Sequence, residues 1–371
     1  MTQVRSAGQV KFTADDSRWM LHAIRMAGQG RGRVEPNPMV GAVVVADGKC
    51  VGEGYHEQFG GPHAEINALN ASGLAARGAT LYVNLEPCCH QGKTGPCTEA
   101  IIKAGIARVI CSMIDPFEQV NGKGMAALAA AGIQVDVGCA ENQARQLNAG
   151  YLSLIERGQP LVIVKWAQTL DCKISSPRLG RYITSDAARV ESHRLRSMCQ
   201  GILVGAGTVV ADDPMLTCRS VPGASPHRYV LDGQLRTPTS AQLIETAKQV
   251  PVTIVTTKAA VAESPAVVKR MKECGAEVLE LADKPPVKWL DLLKELGRRK
   301  LTYLLVEGGR AIIRSLLSEK LADQAAIFIA PKFSGPGLPV LDDSLPPFRL
   351  DDVRVRHFGE DALLEGRIDY A

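Results

Sequence analysis

The sequence predicts a two-domain α/β protein, and three observations support this prediction. The chain has 371 residues, more than one ordinary hydrophobic core requires. Candidate strands and helices alternate along both halves, as in α/β domains. Between the halves a helical pattern ends at Gly158, with Pro160 just after it. We therefore expect one domain over residues 1–157 and a second over residues 158–371.

The elements of the N-terminal half follow from local signals. Apolar residues at helical spacing begin near Asp16, and the Asp47-Gly48 pair is typical of a hairpin turn. Gly105 and Gly132 stand where helical patterns stop. These signals predict helices over residues 16–28, 63–74, 98–104, 125–131 and 141–157, and strands over 40–45, 50–55, 79–85, 107–113 and 133–137.

The C-terminal half shows a second α/β pattern. Short apolar runs predict its strands, and the Gly- and Pro-rich stretch from Ser334 to Pro339 is typical of a surface loop. Strands are predicted over residues 161–165, 201–204, 228–231, 252–256 and 301–306, and helices over 186–197 and after Gly309.

Composition and charge narrow the class of protein. The 43 basic residues nearly balance the 39 acidic ones, which does not indicate a nucleic-acid binder. No apolar run reaches the length of about 18 residues that a membrane span needs, and residues 1–6 show no secretory signal. We therefore expect a cytoplasmic protein without nucleic-acid or membrane partners. Five cysteines beside apolar runs are expected to be core residues: Cys50, Cys111, Cys139, Cys199 and Cys274.

The strongest chemical signal is a candidate metal site formed by His63, Cys88 and Cys97. One imidazole and two thiolates suit tetrahedral zinc with one open position. A zinc ion of this kind lowers the pKa of its bound water to about 7. Glu65 lies two residues after His63, so its carboxylate is placed to carry a proton from water to a leaving amine.

This pattern matches the zinc-deaminase signature H-x-E followed by two cysteines, in which the Glu is not a ligand. The usual signature separates the cysteines by two residues, whereas eight separate Cys88 and Cys97. Cys89 and His90 are competing ligands, but they are so close to Cys88 in the chain that one ion rarely binds both. We interpret them as supporting or packing residues.

A glycine pair marks a second candidate site. No G-x-G-x-x-G follows a strand, since Val210 stands where Gly205-Ala206-Gly207 would need its third glycine, so a Rossmann site is poorly supported. Gly308-Gly309 lies between a strand and a helix, where backbone N–H groups can approach a phosphate. Taken alone, such a pair is more often only a turn.

Several stretches together resemble one family, the bifunctional riboflavin-biosynthesis deaminase–reductases. In the N-terminal half they are Asn37-Pro38-x-Val40-Gly41, Gly52-x-Gly54-Tyr55-His56, Pro62-His63-Ala64-Glu65 and the run from Leu85 to Cys97, whose longer cysteine spacing is the family's own. In the C-terminal half they are Lys165-x-Ala167-x-Thr169-Leu170-Asp171, Ile183-Thr184-Ser185, Leu195-Arg196, the run from Gly207 to Arg219 and Glu307-Gly308-Gly309.

The resemblance covers nearly the whole chain and implies both a fold and a reaction sequence. The fold is a cytidine-deaminase-like α/β/α sandwich followed by a dihydrofolate-reductase-like α/β domain. A zinc-dependent step would deaminate 2,5-diamino-6-(5-phosphoribosylamino)pyrimidin-4(3H)-one. An NADPH-dependent step would then reduce the ribosyl group to ribityl, giving 5-amino-6-(5-phosphoribitylamino)uracil. The implied partners are phosphorylated pyrimidines, and we expect a homo-oligomer.

The resemblance also implies roles for individual residues. Those expected to bind the deaminase substrate are Asn37, His56, Lys93 and Asp115. Those expected to bind NADPH are Ala167, Tyr182, Thr208, Asp212, Gly309, Arg310, Ala311, Ile312, Ile313, Arg314 and Ser315. Those expected to bind the reductase substrate are Lys165, Gly180, Arg196, Leu216, Arg219 and Glu307.

Two rival functions remain at this point. A nucleic-acid deaminase with an unrelated C-terminal domain would need a basic surface and stacking aromatics, whereas aromatic residues make up only 5% of this chain. A structural zinc module would have a fourth ligand or lack the acid, whereas Glu65 is present.

Overall fold

The computed structural model describes residues 4–5, 10–90, 95–180, 182–342 and 344–370. The chain forms two compact units, Met1–Arg157 and Gly158–Ala371, and both are α/β. In the described ranges no helix is long and apolar enough to cross a membrane.

The first unit alternates helices and strands around one sheet. Its strands are β1 Val4–Arg5, β2 Gly41–Ala46, β3 Lys49–Tyr55, β4 Thr80–Val83, β5 Arg108–Cys111 and β6 Gln134–Val137. Its helices are α1 Ala14–Ala27, α2 Ala64–Ser72, α3 Cys97–Ala104, α4 Lys123–Ala130, α5 Glu141–Leu147 and α6 Ala149–Arg157, with short 3₁₀ turns at Gly28–Gly30 and Gly73–Ala76. Helix α1 begins before the predicted Asp16 because Thr13 caps it, accepting from the Asp16 N–H at 3.0 Å.

This sheet has the strand order β1-β6-β5-β4-β2-β3, parallel from β1 to β4 and antiparallel at β2 and β3. Alternate residues of β2 point to opposite faces. Val44 packs in the core with α2, α3 and α4, whereas Val43 packs with α1. The strands are therefore apolar on both sides, as an α/β/α sandwich requires.

Strand directions bring four loops to one edge of this sheet. Strands β4 and β5 are parallel, so the segments that follow them leave at the same edge. Strand β2 is antiparallel to β4, so the segment before β2 lies at that edge, as does the segment after β3. Asn37, His56, Cys88 and Asp115 stand in these four segments.

Helix α2 lies directly against β3 because β3 carries glycines at the contact. A Cβ on Gly52 would lie 2.5 Å from the Ala68 carbonyl oxygen, and one on Gly54 would lie 2.7 Å from the Ala68 nitrogen. This close approach fixes the start of α2, and with it the position of His63.

The predicted helix over 141–157 is in fact two helices, and Asn148 explains the break. Its side-chain oxygen accepts from the Met39 N–H at 2.8 Å, and its side-chain nitrogen donates to the Met39 carbonyl at 2.9 Å. The Asn148 side chain hydrogen-bonds to backbone groups outside the helix, and the helix is interrupted at this residue, between α5 and α6.

The second unit is built on a larger, mostly parallel sheet. Its strands are β7 Leu161–Thr169, β8 Lys173–Ser175, β9 Gly201–Gly205, β10 His227–Leu231, β11 Val252–Thr257, β12 Glu277–Ala282, β13 Tyr303–Glu307, β14 Gln324–Ala330, β15 Leu338–Pro339, β16 Arg349–Phe358 and β17 Asp361–Asp369. Its helices are α7 Asp186–Ser197, α8 Ala206–Asp212, α9 Gln242–Glu245, α10 Lys258–Glu263, α11 Pro265–Glu273, α12 Trp289–Arg298 and α13 Arg310–Ser318.

The nine-stranded sheet runs in the order β12-β11-β10-β9-β13-β7-β14-β17-β16, and only β17 pairs antiparallel with its neighbours, β14 and β16. Strands β8 and β15 form a separate pair. Adjacent β13 and β7 place Glu307 beside Lys165 in register. The α/β/α sandwich followed by a second α/β unit confirms the predicted fold class.

The expectation that five cysteines are core residues is correct for Cys111, Cys139 and Cys199, which are buried. It is wrong for Cys50, which is exposed, and Cys274 is half-buried. Cys50 lies near the start of β3, where its sheet edge faces solvent, and a thiol tolerates either environment.

Candidate active sites

Three side chains from separate elements converge at the sheet edge of the first unit. His63 caps α2, Cys97 begins α3, and Cys88 lies in the segment after β4. Their donor atoms all lie within 4.8 Å of one another, with His63 Nδ1 3.2 Å from Cys97 Sγ and 3.5 Å from Cys88 Sγ. One imidazole nitrogen and two sulfurs in this arrangement fit a zinc ion with an open coordination position.

The electrostatics of this cluster favour a thiolate and a carboxyl that titrates near neutrality. Hydrogen bonds from the Cys97 thiol and from His63 lower the pKa of the Cys88 thiol below its ordinary value. Glu65, in the first turn of α2, is only 3% exposed, and burial raises its pKa to about 7. A carboxyl with such a pKa can both accept and donate a proton at neutral pH.

Asn37 and His56 lie together beside this cluster. The Asn37 amide nitrogen is 3.3 Å from His56 Nε2, and His56 Nδ1 is 3.0 Å from the Pro62 carbonyl oxygen. Because the carbonyl accepts only from a protonated Nδ1, the network assigns the Nε2 lone pair to the Asn37 amide. Burial lowers the pKa of His56, which keeps the ring neutral. Its ring meets that of His63 edge-on, with 5.6 Å between centroids.

Asp115 is the remaining predicted substrate residue that the structure describes. It is 6% exposed, and its Oδ1 accepts from the Phe117 N–H at 2.9 Å and from the Tyr151 hydroxyl at 2.8 Å. Burial raises the pKa of this carboxyl. Lys93 lies outside the described residues.

The competing ligands Cys89 and His90 are not part of the three-residue cluster. Cys89 Sγ lies 3.9 Å from the Gln119 carbonyl oxygen, and the His90 ring packs edge-on against Phe117. These contacts agree with our interpretation of both residues as packing groups.

A charged triad marks the candidate site of the second unit. Glu307 ends β13 and is 7% exposed. Arg196 of α7 binds both of its carboxylate oxygens through one edge of the guanidinium, at 2.8 Å from Nε to Oε1 and 2.8 Å from Nη2 to Oε2. Lys165 Nζ lies 3.6 Å from Glu307 Oε2. Burial opposes ionisation of Glu307, but the Arg196 and Lys165 charges outweigh it and hold its pKa at about 2.

The expectation that Arg196 binds the reductase substrate stays a prediction. Its Nε and Nη2 groups donate to Glu307, and Nη1 donates to the Thr217 carbonyl at 3.1 Å. All three nitrogens that could form a bidentate contact with a phosphate are therefore already hydrogen-bonded. Arg219 is different: it is exposed, its Nη1 contacts Thr217 Oγ1 at 3.1 Å, and no carboxylate of the described chain pairs with it. Leu216, between these groups, is buried with a φ of 55°.

The Gly308-Gly309 turn lies beside Thr208 at the carboxyl edge of β9 and β13. Both glycines have positive φ, 75° and 77°, which side chains rarely adopt. A Cβ on Gly309 would lie 3.1 Å from Thr208 Oγ1, so backbone and hydroxyl face the same space. This turn precedes α13, whose first N–H groups suit a phosphate.

The other predicted cofactor residues are placed as follows. Ala167 is on β7, Asp212 ends α8 and is exposed, and Tyr182 is 54% exposed beneath the Arg189 guanidinium at 4.2 Å. Gly180, expected at the substrate, is also exposed. The structure therefore places Thr208 and Gly309 together, whereas Tyr182 and Gly180 lie on a separate exposed segment.

The expectation that the seven residues from Gly309 to Ser315 contact the cofactor stays a prediction, and the structure places their side chains in different surroundings. Residues in a helix point in all directions, and Ile313 is 1% exposed within the core of the second unit. Ser315 Oγ accepts from Trp289 Nε1 at 2.8 Å, and Arg310 and Arg314 both pair with Asp342. The backbone N–H groups of the first turn of α13 are the groups that we expect to meet a cofactor phosphate.

Sequence reasoning missed two residues that form hydrogen bonds within these sites. Tyr151 donates to Asp115, and His193 Nδ1 lies 3.0 Å from the Thr217 carbonyl that Arg196 also contacts. Neither residue stands within a motif, so nothing local in the sequence points to it.

Comparisons with known proteins agree with the two sites. Residues 13–113 match the cytidine and deoxycytidylate deaminase zinc-binding region, and residues 160–364 match the RibD C-terminal domain. Riboflavin biosynthesis protein RibD of Aquifex aeolicus is 41% identical over 94% of this chain and 97% of its own length. RibD of Escherichia coli is 36% identical over 94% of this chain and 98% of its own length.

Solved structures extend the similarity to the whole fold. A structure of Acinetobacter baumannii RibD superposes with a TM-score of 0.84 at 33% identity, covering 96% of this chain and 99% of that one. The Thermotoga maritima diaminohydroxyphosphoribosylaminopyrimidine deaminase/5-amino-6-(5-phosphoribosylamino)uracil reductase gives 0.82 at 34% identity, covering 95% and 98%. The chain therefore belongs to the RibD family of bifunctional deaminase–reductases of riboflavin biosynthesis, with zinc and NADPH as its cofactors.

Proposed function

We propose that residues 1–157 deaminate 2,5-diamino-6-(5-phosphoribosylamino)pyrimidin-4(3H)-one and that residues 158–371 reduce the product to 5-amino-6-(5-phosphoribitylamino)uracil. The main support is the cluster of His63, Cys88 and Cys97 beside the buried carboxyl of Glu65. A binding module needs no such acid, whereas hydrolytic deamination does.

In the deamination, water replaces the pyrimidine 2-amino group and ammonia leaves. His63, Cys88 and Cys97 would hold the zinc ion, which when bound would supply an electrophilic centre that activates water at neutral pH. Glu65 takes one proton from the water and returns it to the departing nitrogen, which its pKa near 7 permits in both directions. The Asn37 amide and the Asp115 carboxylate are the groups that we assign to the edge of the pyrimidine ring.

In the reduction, the ribosylamine opens to an imine at C1′, and bound NADPH would supply the hydride that this carbon accepts. The nitrogen then needs a proton. Lys165 is the group we assign to this step, since its ammonium lies 3.6 Å from Glu307 Oε2 and burial lowers its pKa. Arg196 holds Glu307 ionised and in place, and the Gly308-Gly309 turn offers backbone N–H groups to a cofactor phosphate.

The direct test is to give the purified protein the diaminopyrimidinone phosphate with and without NADPH, following ammonia and cofactor oxidation together. Ammonia should appear in both reactions, and NADPH should be consumed only as deaminated product forms. Absence of ammonia from zinc-loaded protein would contradict the proposal. The homo-oligomer and the cytoplasmic location remain predictions, and a mass measurement in solution tests the first of them.

We expect purified protein to carry about one zinc per chain, bound by His63, Cys88 and Cys97. Cys97→Ser should lose the metal because a hydroxyl is a poor zinc ligand. Cys89→Ser is the matched control and should keep it, since Cys89 Sγ is not part of the cluster. Metal analysis after gentle purification measures both, and loss of zinc from the Cys89 variant would contradict the ligand assignment.

Arg219→Ala should weaken binding of the reductase substrate by roughly 2–3 kcal/mol, because an exposed guanidinium without a carboxylate partner is the best-placed group for the 5′-phosphate. NADPH affinity should barely change. Fluorescence titration of the cofactor beside reductase kinetics separates the two effects, with Arg270→Ala on α11 as an exposed-arginine control. Loss of NADPH binding in the Arg219 variant would reverse the assignment.

A further inference from the structure

One buried carboxylate next to the metal ligands has no part in the chemistry described so far. Glu86 is 4% exposed and stands two residues before Cys88. Its Oε1 accepts from the N–H groups of Gly124 at 2.8 Å and Met125 at 3.3 Å. Its Oε2 accepts from those of Gly122 at 2.8 Å and Asp115 at 3.2 Å.

All four donors belong to one stretch of backbone, from Asp115 to the first turn of α4. A carboxylate that accepts several backbone N–H groups in a buried setting makes strong, charge-assisted hydrogen bonds. At a helix start it also meets the positive end of the helix dipole. Glu86 therefore ties the segment after β5 firmly to the segment after β4.

Gly124 shows how close these two segments are. A Cβ at this position would lie 2.1 Å from the Pro87 carbonyl oxygen and 3.1 Å from Glu86 Oε1. Pro87 immediately precedes Cys88, so the start of α4 is packed directly on the backbone that carries a metal ligand. Even a methyl group at Gly124 would have to push the two segments apart.

The two segments carry different functions in the proposed deaminase. One holds Cys88, a zinc ligand, and the other holds Asp115, which we assign to the substrate. The separation between metal and substrate is thus set by the contact between the segments, and the Glu86 carboxylate contributes four hydrogen bonds to it. Misplacement of about 1 Å at such a site costs about 10²-fold in rate.

We propose that Glu86 is a positioning residue of the deaminase, which fixes Cys88 and Asp115 relative to each other through its four backbone hydrogen bonds. The role in catalysis rests on the proposed function. The effect on the metal ligand does not, because Cys88 and Glu86 are joined by the chain itself.

The test compares Glu86→Gln with the wild type in the full-length, zinc-loaded protein. Glutamine keeps the shape but places an NH₂ group against N–H donors, so at least one pair of hydrogen bonds is lost. We expect kcat/KM for deamination to fall 10- to 100-fold, with a raised KM, and zinc transfer to a chelator to become about 10-fold faster. Glu118→Gln is the matched control, because this exposed glutamate lies in the same segment and its change should leave each value within twofold.

Cobalt substitution gives a readout that does not depend on activity. The visible spectrum of the cobalt protein reports ligand geometry, so Glu86→Gln should shift its bands, whereas a loss of folded protein would only lower their intensity. Glu86→Asp, which stays ionised but is one methylene shorter, should recover part of the wild-type spectrum and KM. If Glu86→Gln does not fold, Gly124→Ala makes the same test from the other side of the contact.

The outcomes separate this inference from the proposed function. If the wild type releases ammonia, and the folded variants keep the wild-type cobalt spectrum, chelator rate and KM, Glu86 has only a structural role and the inference is overturned. If the wild type releases no ammonia but the cobalt spectrum shifts in Glu86→Gln, the proposed function fails while the control of Cys88 by Glu86 stands.

Discussion

Replacing Glu65 by glutamine should lower kcat for deamination by about 10²–10⁴-fold while zinc stays bound. Glu65 is not among the three clustered ligands, so the metal keeps its donors. Its carboxyl is buried beside them with a pKa near 7, and a glutamine of the same shape can neither take the proton from water nor return it to nitrogen. Ammonia release and metal content measured on the same preparation test both halves of this statement.

Two controls accompany the Glu65 variant. Glu99→Gln changes an exposed carboxyl in the first turn of α3, two residues after the ligand Cys97 as Glu65 is two residues after His63, and should deaminate normally. The Glu65 variant should also still oxidise NADPH when supplied with deaminated substrate, because that chemistry resides in the other unit. Near-normal ammonia release from zinc-loaded Glu65→Gln would remove Glu65 from the mechanism.

The second large effect is expected at Arg196. Arg196→Ala leaves Glu307 buried with only Lys165 as a counter-charge, and breaking a buried ion pair in this way costs about 3–5 kcal/mol. The second unit should lose stability by that amount, and reductase activity should fall with it. Arg194→Ala on the same helix is the matched control: Arg194 is exposed, and its partner Glu191 keeps a second ion pair with Arg356, so the cost should stay below about 1 kcal/mol.

The Arg196 effect should depend on pH in a definite direction. The pKa of Glu307 is about 2 in the folded protein against an ordinary value of 4.5, so the ion pair contributes its full stability above about pH 4.5. As the pH falls toward 2, Glu307 becomes protonated and the contribution is lost. The difference in unfolding free energy between wild type and Arg196→Ala should therefore shrink over this range. A difference that is constant from pH 6 to pH 3 would show that Arg196 acts through packing and not through charge.

Local sequence signals were sufficient to predict the metal site and many of the helices and strands. His63, Glu65, Cys88 and Cys97 stand in short motifs whose chemistry is specific, and the helix over 186–197 agrees residue for residue with α7. Such predictions succeed because a helical spacing, a capping residue or a ligand type depends on neighbours a few residues away.

The tertiary structure decided which groups meet. Arg196 and Glu307 are 111 residues apart in the chain, and only the placement of α7 against β13 brings these two predicted substrate residues together as an ion pair. The break of the last helix in the first unit likewise depends on Asn148 reaching Met39, 109 residues away. In the described part of the chain, the four hydrogen bonds that the Glu86 carboxylate accepts come from groups 29 to 39 residues further along. The sequence by itself thus determined which chemical groups this protein has for binding and catalysis. The fold determined which of these groups pair with one another, because a buried charge is stable only beside a partner, and packing decides which partner lies next to it.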